Sequence, residues 1–570
     1  MITRTLPTRW ELHRGHAPEQ AAALARELGA PAAIGQILWN RGMTDAAAAR
    51  RFVEPRLEDL HAPWGLLGMD RAVARIERAI ERHERILVHG DYDVDGLTAT
   101  YLLVTVLREF GADVRFHIPH RLQDGYGLSA ASIEAAAAAG VSLVITVDCG
   151  ISANQPIARG AALGVEVVIT DHHEPPEALP AAAAIVNPHQ PGCTYPFKGL
   201  CGVGVAFKLA VALAESRGGM GVVERHLDVV ALGTVADAVP LSGENRVLVH
   251  HGLDRLQKSE HIGLRALIEV AGLTGRRINA GHVGFQLAPR LNAAGRMGSA
   301  LQALDLLLTT DADQARSLAQ SLDEDNTRRR ELDERVEQEA AERVERELGW
   351  PDCSSIVLWS ETWHAGVLGI VASRLVERFQ RPAILLAVQA PWARGSGRSA
   401  GGLDLTRLLT DCADMLSTYG GHAYAAGLSV APDRLPALRE RIEALTRERL
   451  DLERCVPRLL VDADLPFASI DAELLDWLDR LPPHGLDNPE PVFRTEIARI
   501  ESSSTVGSGR HLKLWLRDSS GGGDAIGYGF GERAAEFLKG ASCAVAYVPQ
   551  RNEYMGETTV QLKVRGLKSP

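Results

Sequence analysis

From residue 85 to about 190 the chain alternates short apolar runs with helix-like segments. "RILVH" (85–89) precedes "LTATYLLVTVLREFG". Then come "ADVRFHIP", "SAASIEAAAAAG", "VSLVITVDCG", a helical stretch over 153–163, and "VEVVITDHH". Apolar runs bounded by turn residues and separated by helices predict βαβ units on a parallel sheet. Three of these runs end in acid or histidine: His89, Asp91, Asp93 and Asp95 after the first, Asp148 after "VSLVITV", and Asp171, His172 and His173 after "VEVVIT". Ligands of open parallel sheets sit at the carboxyl ends of the strands, so these residues converge at one edge. Crowded carboxylates oppose each other's ionisation, and divalent cations resolve the conflict. A mix of imidazole and carboxylate fits Mn²⁺, and Mg²⁺ fits a carboxylate-rich position. Two ions sharing an aspartate activate water and stabilise a leaving oxygen, so a phosphoryl group is the natural substrate.

Duller readings compete at each position. "DYDVDG" opens like a calcium loop, but the twelfth residue from Asp91 is Leu102, where such a loop needs glutamate. Asp148 alone reads equally well as a helix N-cap. His250 and His251, supported by no motif, read as structural. In "LDVVALGTVADAVPL", Asp228 and Asp237 are nine residues apart. On a helix that leaves them on opposite faces, so at most one reaches the metals. Asp237, near the helix end and Pro240, is favoured; Asp228 reads as a solvated or capping residue.

The 570 residues predict several domains. A net charge of -12 disfavours a general nucleic-acid coat but not a nuclease with a local basic channel. The 7 cysteines form no C-x-x-C pair and fit a reducing cytosol. No segment reads as a signal peptide or a membrane span, so a soluble cytoplasmic protein with no membrane partner is expected. Residues 311–348 read as one long helix with a stripe of Leu332, Val336, Ala340, Val344 and Leu348, either a solvated helix with a packed stripe or a bridge between domains. A second α/β segment covers about 352–450. After Pro457, period-two stretches with Gly/Ser turns predict a small antiparallel β barrel or sandwich. The expected division is 1–310 (N-terminal helices and catalytic domain), 311–349 (connecting helix), 350–455 (second α/β domain) and 456–570 (barrel).

"HGDYDVDG", "DCG", "DHH" and "ALGTVADAVPL" together resemble the ordered motifs of the DHH phosphoesterase superfamily, and within it the bacterial single-strand exonucleases, from about residue 40 to the C-terminus. The resemblance implies that His89, Asp93 and Asp148 bind one metal ion. Asp95, Asp148, His172 and Asp237 would bind the other, with Asp148 bridging. It places His173 on the scissile phosphate; Asp91 is read as a group supporting the ligands. "GSGRSAGGLDL" and "GGHAYAAGLSV" resemble a DHH-associated domain. There Ser396 and Arg398 would hold a 5′-terminal phosphate in a Gly/Ser loop, with His422 near the reacting phosphate. As residues alone, "GSGRS" reads equally as a plain flexible loop. "LAPRLNAAGR" supplies Arg290 and Arg296 as phosphate contacts. "RLQDGYGL" resembles the family segment that touches the strand, which implies Arg121 for phosphate and Tyr126 for base stacking; as a residue alone, the tyrosine reads equally as ordinary packing. The final β region resembles an oligonucleotide-binding (OB) barrel, and "PPHGLDNPEPVF" its linker.

The expectation is therefore a metal-dependent 5′→3′ exodeoxyribonuclease on single-stranded DNA, releasing 5′-mononucleotides in recombination and repair. Its implied partners are single-strand-binding protein and a RecQ-type helicase. One alternative is a DHH hydrolase of pyrophosphate, nanoRNA or cyclic dinucleotides; the extra domain after Pro457 favours a long polymer instead. A catalytically silent DNA-binding scaffold is the other, and the intact ligand set speaks against it.

Overall fold

The computed structural model describes residues 8–121, 124–554 and 557–569. The chain forms two compact units. The larger comprises Leu12–Asp323 and the chain from Leu460 onward; the smaller comprises Glu324–Leu459 and the residues up to Glu11. Among the described residues, no helix is long and apolar enough to cross a membrane.

At the centre of the larger unit lies a five-stranded sheet, all parallel. Its order is Val114–His117, Ile86–His89, Leu143–Val147, Glu166–Thr170, Ala184–Val186. The first strand in sequence thus lies inside the sheet, and the connections run outward from it in both directions. The junction of Ile86–His89 and Leu143–Val147 is a topological switch point, where crossovers diverge and leave a crevice. Leu143–Val147 is buried along its whole length because helices cover both faces. Val94–Glu109 is almost wholly buried, packed against Gly202–Arg217 and Leu227–Ala236. Ala184–Val186, the edge strand, lacked the run length to be read from sequence.

Helices Pro18–Leu28, Ala32–Asn40 and Ala46–Val53 were grouped with the catalytic domain by sequence. Their side chains instead enter the core of the C-terminal barrel: Leu24, Ile34, Ile37 and Phe52 share one cluster with Phe493, Leu514 and Val545. The barrel closes through five strands: Phe493–Val506, His511–Arg517, Gly522–Gly527, Glu557–Lys568 and Ser542–Tyr554, the last pairing back onto the first. One closing pair, Gly522–Gly527 with Glu557–Lys568, is parallel. The barrel is therefore not purely antiparallel as expected, and has the arrangement of an OB fold.

The long helix runs Ala312–Glu347, about 54 Å at 1.5 Å per residue. Its first turns bury Ala315, Ala319 and Leu322 in the larger unit. In the smaller unit Val336, Ala340 and Val344 are buried, with Leu332 and Leu348 partly so. The expected stripe is thus the packed one. The smaller unit's own sheet is mixed, in the order Leu416–Gly421, Ala425–Val430, Trp392–Arg398, Ala383–Gln389, Ile356–Ser360.

Candidate metal centre

The three strand ends meet at the switch point. Ligand atoms of Asp91, Asp93 and Asp148 lie within 4.8 Å of one another, as do those of Asp95, His172 and Asp237, and those of Asp148, His172 and His173. His172 Nε2 is 3.1 Å from Asp148 Oδ1, 3.8 Å from Asp237 Oδ2 and 3.9 Å from Asp95 Oδ2. Asp148 caps no helix, since the next one starts at Asn154. It sits at φ 60°, a left-handed conformation that aspartate tolerates better than most residues.

The chemistry of the donors fits cations. His89 Nδ1, Asp91 Oδ1, Asp148 Oδ1, His172 Nε2 and Asp237 Oδ2 are all buried without a hydrogen-bond partner. Such orphans are rare in native interiors. His89 Nε2 is 3.3 Å from the Gly127 carbonyl, so donation there would leave Nδ1 a free lone pair. Burial and the mutual repulsion of the carboxylates push Asp95 up to about 7, Asp91 to about 8 and Asp237 to about 9, with Asp148 also well above the ordinary range. Burial lowers His89 and His172 to about 4, so both are neutral imidazoles. Residues that suffer so much without a cation are those a divalent ion would hold as ligands.

Supporting groups fix these ligands. Asp93 caps helix Val94–Glu109, accepting from the Gly96 amide at 3.1 Å. Asp95 accepts from the amides of Gly202 (2.6 Å) and Val203 (2.7 Å), the first turn of helix Gly202–Arg217. A Cβ on Gly202 would fall 2.5 Å from Asp148 Cβ, so only glycine lets the helix approach this closely. Sequence reasoning missed Gly202, and it placed Asp171 at the converging strand ends without giving it a role. Asp171, fully buried, accepts from the amides of Ile151, His172 and His173 and lies 2.8 Å from His173 Nδ1. Burial would raise its pKa, but these bonds hold it below the usual value. Burial works against charge on His173 too, yet the Asp171 bond outweighs it and raises its pKa. The signal for Asp171 was its place at a strand end; nothing in "CGVGVAF" marked Gly202.

The remaining candidates are placed as follows. The Tyr126 hydroxyl donates to the Asp148 carbonyl at 3.1 Å and lies 3.1 Å from His173 Nδ1, leaving the residue 53% exposed. The Arg121 guanidinium lies 4.9 Å from the Tyr92 ring centre, and Arg296 is near the same tyrosine. Arg290 bonds Asp323 at 2.8 Å and the Gln286 carbonyl at 2.6 Å, bracing the start of the long helix. Asp228 is buried, not solvated, and accepts from Ser259 Oγ at 2.6 Å. His251 Nε2 is 3.0 Å from the Pro55 carbonyl, a structural partner. In the smaller unit, "GSGR" is not a loop. Ser396 and Arg398 lie on strand Trp392–Arg398, which is paired on both sides, so its backbone is no free anion cradle. Their side chains meet, with Arg398 Nη1 3.0 Å from Ser396 Oγ, beside Gly369 in the first turn of helix Leu368–Phe379. His422 is exposed on the tight turn between the last two strands, its amide donating to the Ala425 carbonyl.

A parallel sheet with acid and imidazole ligands gathered at its switch point, joined to a smaller α/β unit, defines a DHH phosphoesterase. Residues 85–234 match the DHH family N-terminal domain and 353–448 the DHHA1 domain, while 461–566 match the RecJ OB domain. The chain belongs to the RecJ family of single-stranded-DNA-specific exonucleases. It is 38% identical to the RecJ exonuclease of Bacillus subtilis (strain 168), over 98% of this chain and 70% of that one. With the Escherichia coli (strain K12) enzyme it shares 36% identity over 95% and 96% of the two chains. The crystal structure of RecJ in complex with Mn²⁺ from Thermus thermophilus superposes with a TM-score of 0.85 at 33% identity, covering 99% of this chain and 80% of that one. The Mg²⁺ complex from the same organism gives 0.78 at 32% identity, over 99% and 79%.

Proposed function

We infer that this chain degrades single-stranded DNA from its 5′ end, releasing 5′-mononucleotides at a centre of two Mn²⁺ or Mg²⁺ ions. The convergence of buried, unpartnered ligand atoms from three strand ends and one helix end carries the reading. His89, Asp93 and Asp148, with Asp91 beside them, hold one ion; Asp95, Asp148, His172 and Asp237 hold the other. When bound, such a pair supplies an activated water and neutralises charge on the leaving oxygen. His173 has its Nδ1 committed to Asp171, which leaves Nε2 to donate to an oxygen of the scissile phosphate. Tyr126, held by its hydroxyl, offers a ring face to a base, while Arg121 and Arg296 near Tyr92 meet phosphates. Arg290 acts through its brace to Asp323. Ser396 and Arg398 at the Leu368–Phe379 N-terminus bind the 5′-terminal phosphate, and His422 approaches the reacting one.

Family membership supports a cytoplasmic role in recombination and repair, with single-strand-binding protein and a RecQ-type helicase as partners. The deciding assay uses single strand, duplex, RNA and pyrophosphate, labelled at either end where applicable, with Mn²⁺ or Mg²⁺. A 5′ label on single-stranded DNA should appear first as a mononucleotide. Preferential release from the 3′ end, or faster hydrolysis of pyrophosphate, would overturn the reading. Arg398→Ala should weaken activity on 5′-phosphorylated strands about 10-fold more than on 5′-hydroxyl strands. An equal loss on both would move the phosphate pocket elsewhere.

A further inference from the structure

A pocket of about 590 Å³ lies where helix Leu227–Ala236 begins, at the end away from Asp237. Its lining includes Tyr101, His226, Asp228, Arg255, Lys258 and His261, all in the larger unit. That volume suits a small ligand of nucleotide size. His226 and Asp237 flank the same helix, roughly 16 Å apart along its axis at 1.5 Å per residue, so the pocket is separate from the metal centre.

One half of the His226 ring is spent and the other is not. The residue is the N-cap of that helix, yet its side chain caps no amide. It is 7% exposed, and its Nε2 is buried without a hydrogen-bond partner. Nδ1 lies 3.2 Å from the Tyr101 hydroxyl, which is also hydrogen-bonded to Thr105. With Thr105 donating to Tyr101 and Tyr101 to Nδ1, the ring proton stays on Nε2. That N–H is a donor with nothing to meet, a rare thing in a native interior. The other polar groups of the floor are satisfied. Asp228 accepts from the Val229 amide and from Ser259 Oγ, and His261 Nδ1 accepts from the Leu264 amide.

The electrostatics favour an anion at that donor. Burial, then Arg225, His261 and Arg255, lower His226 to about 4, so the ring is neutral. Arg225 is already paired with Glu109. Among the described residues Arg255 and Lys258, both exposed, form no ion pair. A neutral N–H beside uncommitted cations at a helix N-terminus is the chemistry of a phosphate site. Glu224, Asp254 and Glu260 share the lining. They repel a continuous polyanion, so the arrangement suits one compact phosphate and not a strand. The Tyr101 ring, with the His226 ring at 5.4 Å and the His261 ring at 5.0 Å, gives the floor an aromatic character.

We propose that this pocket binds a phosphate monoester of mononucleotide size, with His226 Nε2 and Arg255 on the phosphate and Lys258 beside them. The aromatic floor lies under the rest of the molecule. The site stands whatever polymer the metal centre cuts.

Calorimetric titration of the full chain in a chelating buffer, with dAMP, deoxyadenosine and inorganic phosphate as probes, tests this. dAMP should bind at least about 10-fold more tightly than either of the others. Arg255→Ala and His226→Leu should each weaken dAMP about 10- to 100-fold, while His226→Gln, which keeps a donor, retains most of the affinity. Arg255 is exposed, so its variant reports on the site even where a change at His226 disturbs the fold. Deoxyadenosine binding as well as dAMP would overturn the proposal, and so would no binding of any probe. Inorganic phosphate binding as well as dAMP would reduce the ligand to the free ion and overturn the monoester. Binding lost in Arg398→Ala but kept in Arg255→Ala would belong to the 5′-phosphate site and overturn it as well.

Discussion

Asp148 stands where both proposed ion sites meet, its Oδ1 buried without a hydrogen-bond partner and 3.1 Å from His172 Nε2. Asp148→Ala should lower Mn²⁺-dependent kcat on the order of 10³-fold or more, since the metal supplies several kcal/mol of transition-state stabilisation. Strand binding measured in chelator should change little. Substantial residual turnover would remove the bridging role. The same cluster makes a pH prediction for protein stripped of metal. Asp95, Asp91 and Asp237 have folded pKa values near 7, 8 and 9, raised from 3.8. An acid shifted this way binds more protons folded than unfolded, so it removes stability as pH climbs through that window. His89 and His172, depressed from 6.5 to about 4, act oppositely but only below pH 6.5. Above 6.5 those two histidines no longer contribute, and His173, raised by its bond to Asp171, loses its stabilisation in the same direction as the carboxylates. Thermal melts in chelator should therefore show Tm falling from pH 6.5 to 9, and added Mn²⁺ should flatten the slope. A Tm that rises over this range without metal would contradict the clustering.

At the scale of elements, the centre depends on helix Gly202–Arg217 arriving end-on against two ligands at once. Gly202→Ala should push the helix or Asp148 aside and weaken Mn²⁺ binding about 10- to 100-fold while the fold persists, read by calorimetric titration beside circular dichroism. Unchanged affinity would show that the close approach is idle. This contact marks a limit of the sequence. The strands and their terminal acids were legible because burial on both faces and a turn at each end leave a local pattern. That only one of Asp228 and Asp237 reaches the cluster followed from helical rotation, and the place of Asp237 beside the helix end and Pro240 pointed to the one that lies near Asp95 and His172. The two amides on Asp95 come from residues more than a hundred positions away, and no local pattern records such a meeting. Of the two readings of Asp228, the solvated one failed for the same reason, since its Ser259 partner is not local, while its bond from the Val229 amide in the first turn of its helix agrees with the capping one. The parallel closing pair of the barrel was likewise hidden, since period two is the same for either direction.

For the larger unit as a whole, one residue ties its parts. Arg246, on helix Gly243–Gln257, is buried to 2% exposure. Its guanidinium donates to the carbonyls of Phe52, Arg480, Leu481 and Pro482 and stacks 3.9 Å from the Phe52 ring centre. Burial lowers its pKa to about 10, still charged at neutral pH. Arg246→Met should cost about 3–5 kcal/mol, because four carbonyls lose their donor at once. Differential calorimetry should show either a large fall in Tm or a split transition. A loss under about 1 kcal/mol would mean the anchor is replaceable.

The shared core of the N-terminal helices and the barrel has a consequence in time. Leu24, Ile34, Ile37 and Phe52 leave the ribosome roughly 440–520 residues before Phe493 and Val545 exist to cover them. At about 5–20 residues per second, that is on the order of 20–100 seconds of synthesis. During that interval the first helices display an apolar face with no partner, while the parallel sheet behind them already has all its strands. The newborn chain is thus an enzyme centre in search of its own tail. Its yield in a cell depends on what shelters those helices until the last hundred residues arrive.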